Sequence, residues 1–143
     1  MKQNKIAIYP GSFDPLHDGH ISVLEKGLLL FDKIIMVVSI NPDKDNLEGI
    51  EQRYQEAKAK LSKYPNVEVI LNKNDLIANI AKQYHANFII RSARNTTDYA
   101  YELELAAGNH ALNNKLETIL ILPNYDMIDY SSTLIRHKEK LGL

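Results

Sequence analysis

The sequence of 143 residues contains no cysteine, and this absence excludes several kinds of chemistry at once. A chain without thiols forms no disulfide, builds no thiolate zinc site and carries no cysteine nucleophile. Of its five histidines only His17 and His20 are close together, so no zinc-ligand spacing is completed. We therefore expect no metal site built from protein ligands.

The sequence also lacks an excess of positive or negative residues, and it contains no long apolar run. Lysine and arginine total 17 against 18 acidic residues, so no strong overall field favours nucleic acid or an anionic membrane. The longest apolar run, residues 34–38, is too short to span a bilayer, and residues 1–5 lack a secretory pattern. We predict a cytoplasmic protein that binds neither nucleic acid nor membrane.

Strand-like and helix-like segments alternate along the chain, which at this length indicates one domain covering residues 1–143. The pattern predicts an α/β fold: a single-domain, doubly wound, five-stranded parallel sheet with helices on both faces. The predicted strands are residues 6–10, 33–40, 67–71, 88–90 and 117–122. Asp75 is predicted to cap the third helix, and the fourth helix to begin near Asp98. Ligands of such a sheet bind at the carboxyl ends of the strands, where the strand order reverses.

The most informative motif lies between the first strand and the first helix. It reads Gly11-Ser12-Phe13-Asp14-Pro15-Leu16-His17-Asp18-Gly19-His20, with glycine and proline allowing a tight turn. The unpaired N–H groups at the start of the helix favour an anion at this position. His17 and His20 add two donors that could point at the same phosphate oxygen. The alternative is that both histidines are ordinary turn and cap residues.

Three cationic residues follow later strands of the predicted sheet. Lys44, after the second strand, could hold a substrate phosphate, although a single loop lysine is more often simply solvated. Arg91 and Arg94, after the fourth strand, suit two phosphates because guanidinium groups bind phosphate oxygens bidentately. Exposed arginines in surface salt bridges are the alternative interpretation.

Two further features lie near the same predicted edge. Glu102 could reach back over the edge from the fourth helix, or it could be an exposed helical carboxylate. Three consecutive hydroxyl residues, Ser131, Ser132 and Thr133, stand at a predicted helix start and offer a second anion site or a plain cap. His85, His110 and His137 have no comparable setting, and we expect them to be structural or surface residues.

Together these motifs resemble those of the phosphopantetheine adenylyltransferase family, within the nucleotidyltransferase superfamily. The likeness covers nearly the whole chain and is most specific in residues 90–95, residues 98–102 and Asn109. The resemblance implies transfer of AMP from ATP to 4'-phosphopantetheine with release of pyrophosphate. We expect direct in-line attack with no covalent enzyme intermediate. The resemblance further implies Mg²⁺ bound mainly through the ATP phosphates, and a homo-oligomer, in this family a hexamer.

The resemblance also implies roles for individual residues. Catalysis is expected to rest on Ser12, His20, Lys44 and Arg94. The residues expected to bind ATP are Ser12, Phe13, His17, His20, Ser92, Ala93, Arg94, Glu102, Met127, Ile128, Asp129, Tyr130, Ser131, Ser132 and Thr133. Those expected to bind phosphopantetheine are Ser12, Lys44, Ile77, Arg91 and Asn109.

The sequence departs from the family pattern at a few positions. His17 replaces a residue that is commonly threonine, which gives a full His-x-Gly-His motif. Ser92 and Ala93 replace a usual Gly-Leu pair, and Gly49 replaces a hydroxyl cap on the second helix. The chain ends at Leu143, before a further helical segment of the family.

Four other functions compete with this interpretation. A nicotinamide mononucleotide adenylyltransferase or a cytidylyltransferase is favoured slightly by His17, whereas residues 131–136 resemble the adenylyl type. A binding module for adenine nucleotides that has lost catalysis is opposed by the retention of His20, Lys44 and both arginines. A class I aminoacyl-tRNA synthetase fragment lacks support, because no Lys-Met-Ser-Lys-Ser-like loop and no basic surplus are present.

Overall fold

The computed structural model describes residues 4–40, 49–124 and 133–143. Five parallel strands form one sheet in the order β3-β2-β1-β4-β5. The strands are β1 (Ile6–Gly11), β2 (Lys33–Ser39), β3 (Val67–Asn72), β4 (Phe88–Arg91) and β5 (Glu117–Leu120). The helices are α1 (Asp18–Leu28), α2 (Ile50–Lys60), α3 (Ile77–Gln83), α4 (Thr96–Leu112) and α5 (Thr133–Leu141). The α/β class and the parallel five-stranded sheet are confirmed.

Helices cover both faces of the sheet, which is why its inner strands are apolar on both sides. Successive side chains of a strand point to opposite faces, so β1 and β2 each contribute to two cores. One core joins the sheet to α1 and α2 and includes Ala7, Tyr9, Ile34, Met36, Val23, Leu24, Ala57 and Leu61. The other core joins it to α3 and includes Ile8, Ile35, Val37, Ile89, Ala78, Ile80 and Ala81.

The strand order reverses beside β1, which lies at the centre of the sheet. β1 pairs with β2 on one side, with Ile6 opposite Lys33, and with β4 on the other, with Ala7 opposite Phe88. The connections that leave β1 and β4 therefore run to opposite halves of the sheet. This arrangement opens a crevice at the carboxyl ends of these two strands, where open α/β sheets bind ligands.

Several predicted boundaries are wrong by one or two residues. The predicted cap Asp75 is not the N-cap of α3; that position is taken by Leu76. The reason lies in Asn72, whose side chain accepts the Asp75 N–H at 2.9 Å and donates to the Asp75 carbonyl at 2.9 Å. This turn delays the helix, and Asp75 Oδ1 instead accepts the Leu76 N–H. α4 begins at Thr96 because Asn95 caps it, accepting the Asp98 N–H.

Helix α4 leaves most of its apolar side chains outside the two cores. Glu102 alone is buried among its 17 residues, all of which the structure describes. The predicted helical series of Tyr101, Leu105, Gly108 and Leu112 is exposed or half-buried. No helix within the described ranges is long and apolar enough to cross a membrane.

Candidate active site

A cavity of about 890 Å³ opens at the carboxyl ends of the strands beside β1. Its walls come from the turn between β1 and α1 (residues 12–17, the β1–α1 turn), the ends of β2, β3 and β4, and one face of α4. Many of the predicted site residues line it together: Ser12, Phe13, His17, His20, Ile77, Arg91, Ser92, Arg94, Glu102 and Asn109. Residues that are up to 97 positions apart in the chain, from Ser12 to Asn109, thus share one cavity.

The remaining predicted site residues are not among the described residues that line this cavity. Ala93 is buried and does not line the cavity. Lys44 and the run Met127, Ile128, Asp129, Tyr130, Ser131 and Ser132 lie outside the described residues. Thr133 is the first residue of α5. The roles assigned to these residues stay predictions.

The β1–α1 turn is held in an unusual backbone conformation at Phe13. Its φ of 47° lies in the left-handed region, which costs a residue with a side chain about 1–3 kcal/mol and persists only where the surrounding structure holds it. The Phe13 ring is buried and packs edge-on against Tyr9 and His20, with centroids 5.5 and 5.0 Å away. A Cβ on Gly11 would lie only 3.0 Å from this ring, so any larger residue at this position would have to displace the packed ring. Tight packing therefore fixes the turn against the helix start.

The two histidines form the cap of α1. His17 is the N-cap, and its Nδ1 accepts the Gly19 N–H at 3.0 Å. His20 Nδ1 in turn accepts the His17 N–H at 3.1 Å, and the two rings stack with centroids 3.8 Å apart. The cap interpretation is thus confirmed, and both residues also line the cavity. Because each Nδ1 accepts from the backbone, we infer that the neutral rings carry their proton on Nε2.

His20 is uncharged at neutral pH. Burial, together with smaller electrostatic contributions from His17, Arg94 and Arg91 in the same direction, lowers the pKa of His20 from 6.5 to about 4. A neutral imidazole whose Nδ1 is already an acceptor offers one Nε2–H donor to a ligand. His20 can therefore stabilise a phosphate oxygen by hydrogen bonding, without contributing a positive charge.

Arg91 is fixed by a two-point ion pair with Glu102. Arg91 Nε and Nη2 donate to the two carboxylate oxygens at 2.8 and 2.7 Å, and Nη1 donates to the Pro10 carbonyl at 2.7 Å. Burial lowers the Arg91 pKa, but the hydrogen-bonded Glu102 carboxylate more than offsets this and raises it overall. Glu102 is only 5% exposed, so it is not the exposed carboxylate of the alternative interpretation. The pair holds the guanidinium plane still at the cavity edge.

Arg94 occupies a different environment from Arg91. Its Nε donates to Asp98 Oδ2 at 3.3 Å, four residues along the chain, and its side chain is 64% exposed. This contact matches the surface salt bridge of the alternative interpretation, and such pairs contribute little to stability. Arg94 nevertheless lines the cavity and belongs to the charges that lower the His20 pKa. A weakly held guanidinium can exchange its carboxylate partner for a ligand phosphate.

Part of the cavity lining is uncharged. It consists of Leu76 and Ile77 from the start of α3 and of Leu105, Ala106 and Asn109 from α4, and the carboxylates of Asp75 and Asp98 line the same cavity. Asn72, which is buried and also lines the cavity, joins β3 to β2 by donating from Nδ2 to Ser39 Oγ at 3.0 Å. The cavity therefore offers imidazole and guanidinium groups together with uncharged side chains that suit a neutral arm.

Sequence reasoning missed Arg53, Lys60 and Asn72, which support the walls. Arg53 is buried and donates from Nη1 to the Ser12 carbonyl at 2.7 Å, and Lys60 Nζ donates to the Leu16 carbonyl at 2.9 Å. A signal for Arg53 was present, because it follows Ile50 by three residues on the apolar stripe of α2. A charged residue on such a stripe needs a buried partner.

The parallel sheet carries a neutral histidine, His20, in the first turn of α1. Two arginines, Arg91 and Arg94, lie at or just after the end of β4, the strand beside β1. This combination of fold and side chains defines a nucleotidyltransferase-type site. The family model described as Cytidylyltransferase-like matches residues 8–138 of the chain. The phosphopantetheine adenylyltransferase of Mycoplasma capricolum is 42% identical over 94% of this chain and 96% of that protein. The one from Mannheimia succiniciproducens is 41% identical over 92% of this chain and 82% of that protein.

Solved structures support the fold. A lipopolysaccharide core biosynthesis protein from Thermoplasma volcanium matches with a TM-score of 0.59 and 21% identity, over 85% of this chain and 98% of that one. A nicotinate-nucleotide adenylyltransferase candidate from Vibrio parahaemolyticus matches with a TM-score of 0.56 and 18% identity, over 98% of this chain and 83% of that one. The chain is thus a nucleotidyltransferase of the cytidylyltransferase-like class. Within that class it belongs to the phosphopantetheine adenylyltransferase family.

The protonation of His20 can be measured by NMR titration of histidine-labelled protein. We expect its imidazole to titrate near pH 4, because burial and neighbouring cations disfavour the charged ring. The unfolded chain binds this proton near pH 6.5, so His20 adds stability that is fully present above that pH and is lost as pH falls toward 4. A titration midpoint near 6.5 would contradict this account of the site.

The Arg91–Glu102 pair can be tested by Glu102→Gln. This change leaves the guanidinium without its counter-charge in a largely buried place, and we expect the free energy of unfolding to fall by about 2–3 kcal/mol. Glu51→Gln is the matched control, because it breaks an exposed pair with Lys73 and should cost less than about 1 kcal/mol. Equal losses in denaturant titrations of the two variants would show that burial does not strengthen the Arg91 pair.

Proposed function

We propose that this protein transfers AMP from ATP to 4'-phosphopantetheine, which gives dephospho-coenzyme A and pyrophosphate. The observation that carries the proposal is the position of His20, a neutral donor at the start of α1 that shares one cavity with Arg91 and Arg94. The relatives of this protein from Mycoplasma capricolum and Mannheimia succiniciproducens are named phosphopantetheine adenylyltransferase. The mixed lining of the cavity supports the choice of acceptor, since the acceptor has a phosphate and an extended neutral arm, and the cavity offers both guanidinium groups and uncharged side chains.

The proposed chemistry is a direct displacement at the α-phosphorus of ATP. An oxygen of the acceptor phosphate forms a bond to this phosphorus while the bond to the bridging oxygen of the pyrophosphate breaks. The ionised acceptor phosphate is already a nucleophile, so no general base is required. Catalysis then consists of positioning the two phosphates and stabilising the charge that develops between them.

The residues of the cavity suit this task in different ways. In the proposal His20 Nε2–H donates to the α-phosphate, and Ser12 contacts both substrates from the β1–α1 turn. Arg94 is loosely paired and exposed, so it can move onto the ATP phosphates. Arg91, held by Glu102, presents a fixed guanidinium to the acceptor phosphate, and Ile77 and Asn109, which line the same cavity, are proposed to contact its arm.

The remaining predicted residues keep their proposed roles on the basis of the family. Lys44 is proposed to bind the acceptor phosphate and to assist its attack. Phe13, His17, Ser92, Ala93, Glu102 and residues 127–133 are proposed to form the ATP site. His17 stacks on His20, which supports a part in orienting the His20 ring. Buried Glu102 acts in this proposal through Arg91.

Mg²⁺ is proposed as a cofactor that enters with the nucleotide. The described residues contain no group of three or more His, Asp or Glu side chains arranged to hold a metal ion. We assign the ion to the triphosphate, where it would supply positive charge near the leaving pyrophosphate. The chain's own donors then act on the α-phosphate.

We also propose a cytoplasmic homo-oligomer, in line with the hexamers of the family. The exposed apolar side chains of α4 support association with further copies, because surfaces of this kind are usually covered. They include Tyr99, Tyr101, Leu103 and Leu112.

Pyrophosphate release provides the test. With Mg²⁺ and ATP, we expect release with 4'-phosphopantetheine and not with nicotinamide mononucleotide. His20→Ala should lower kcat by roughly a hundredfold to a thousandfold, because one transition-state donor contributes on the order of 3 kcal/mol. His85→Ala is the control, since His85 is exposed and does not line this cavity.

Each outcome of this assay has a defined meaning. Release with the mononucleotide alone would assign the chain to the rival adenylyl transfer. No release with either acceptor would favour a binding module without catalysis. A kcat of His20→Ala within about threefold of the wild type would remove His20 from the mechanism.

A further inference from the structure

Helix α2 contacts the β1–α1 turn at two points through cationic side chains. Arg53 Nη1 donates to the Ser12 carbonyl at 2.7 Å, and Lys60 Nζ donates to the Leu16 carbonyl at 2.9 Å. Positions 53 and 60 are two helical turns apart, so both side chains leave the same face of α2. The two accepting carbonyls lie on either side of Phe13.

The first contact orients the strained peptide of the turn. The Ser12–Phe13 peptide is trans, and in such a peptide the C=O and N–H bonds point in opposite directions. Because Arg53 holds the Ser12 carbonyl, the Phe13 N–H is directed away from α2. The same bond restrains the left-handed Phe13, whose ring packs on His20. A change at Arg53 therefore reaches His20 through Ser12 and Phe13.

The burial of Arg53 shows that this contact is built into the fold. Arg53 is only 5% exposed, although arginine is among the side chains most rarely buried without a partner. Lys60 differs, because its side chain is mostly exposed while its amine reaches the Leu16 carbonyl. The exposed position means that Lys60 can be replaced without opening the core.

We propose that Arg53 and Lys60 are positioning residues, which fix the β1–α1 turn from outside the cavity and so hold His20 and Ser12 in place for the transfer. This proposal rests on the proposed function, in that the transfer is the reaction being positioned. Neither residue lines the cavity, so neither contacts substrate in this role. They act through Ser12, Phe13 and Leu16.

The lysines of α2 give a matched test of the proposal. Lys60→Met removes the contact with Leu16, and we expect kcat to fall roughly three- to tenfold with a smaller change in KM. Lys58→Met is the control: Lys58 is also exposed, and its amine lies over the Tyr54 ring, so kcat should stay within about twofold. Equal kcat values for the two variants would overturn the role of Lys60.

Arginine replacements test the stronger contact. Arg53→Met should lower kcat by roughly 30-fold or more, because misplacement of catalytic groups by about 1 Å has effects of this size. Arg53→Lys keeps a cationic donor for the Ser12 carbonyl and should recover most of that loss. Loss of activity in both variants to the same degree, with both still folded, would contradict a positioning role. If Arg53→Met does not fold, Arg53→Lys and the lysine pair decide the question.

An NMR measurement separates this proposal from the proposed function. In Arg53→Met the His20 pKa should rise from about 4 toward its ordinary value, as the ring loses its packed position, whereas Lys58→Met should leave it unchanged. This readout needs no turnover. A wild-type protein without transferase activity would contradict the proposed function only. An unchanged His20 pKa in Arg53→Met would contradict the proposed positioning role of Arg53.

Discussion

Hydrogen bonds from the backbone to two imidazole rings are the constraint on which the rest of this site depends. The N–H groups of His17 and Gly19 at the start of α1 donate to His20 Nδ1 and His17 Nδ1. The side chains that cap the helix are therefore the same ones that bring imidazole rings to the cavity. Because Nδ1 of each ring accepts a backbone N–H, the proton of the neutral ring lies on Nε2, and Nε2 is therefore a hydrogen-bond donor. Burial, with smaller contributions from His17, Arg94 and Arg91, keeps the His20 ring neutral in this position.

The fold could be predicted from the sequence because its signals are local. Apolar runs such as residues 34–38 mark buried parallel strands, and helical spacing marks the elements between them. The exact starts of α3 and α4 could not be predicted, because Asn72 and Asn95 make turns and caps through side chains. Such bonds are local, between residues three positions apart, but the periodicity of apolar residues does not report them.

The candidate site was predictable in its composition but less so in its interactions. Strand ends of a parallel sheet meet at one edge, so the motif residues and both arginines were expected together. The pairing of Arg91 with Glu102 was not, since the two lie 11 residues apart on different elements. The support of the turn by Arg53 was missed for the same reason, as its partner Ser12 is 41 residues away. Lys44 and residues 127–132 stay predictions.

The most direct measurement of the central claim is a crystal structure of the protein with a non-hydrolysable ATP analogue and Mg²⁺. The account predicts an α-phosphate oxygen within hydrogen-bond distance of His20 Nε2, about 2.7–3.2 Å, with His20 Nδ1 still accepting the His17 N–H. A triphosphate bound away from the β1–α1 turn, or a His20 ring rotated out of its cap, would contradict it.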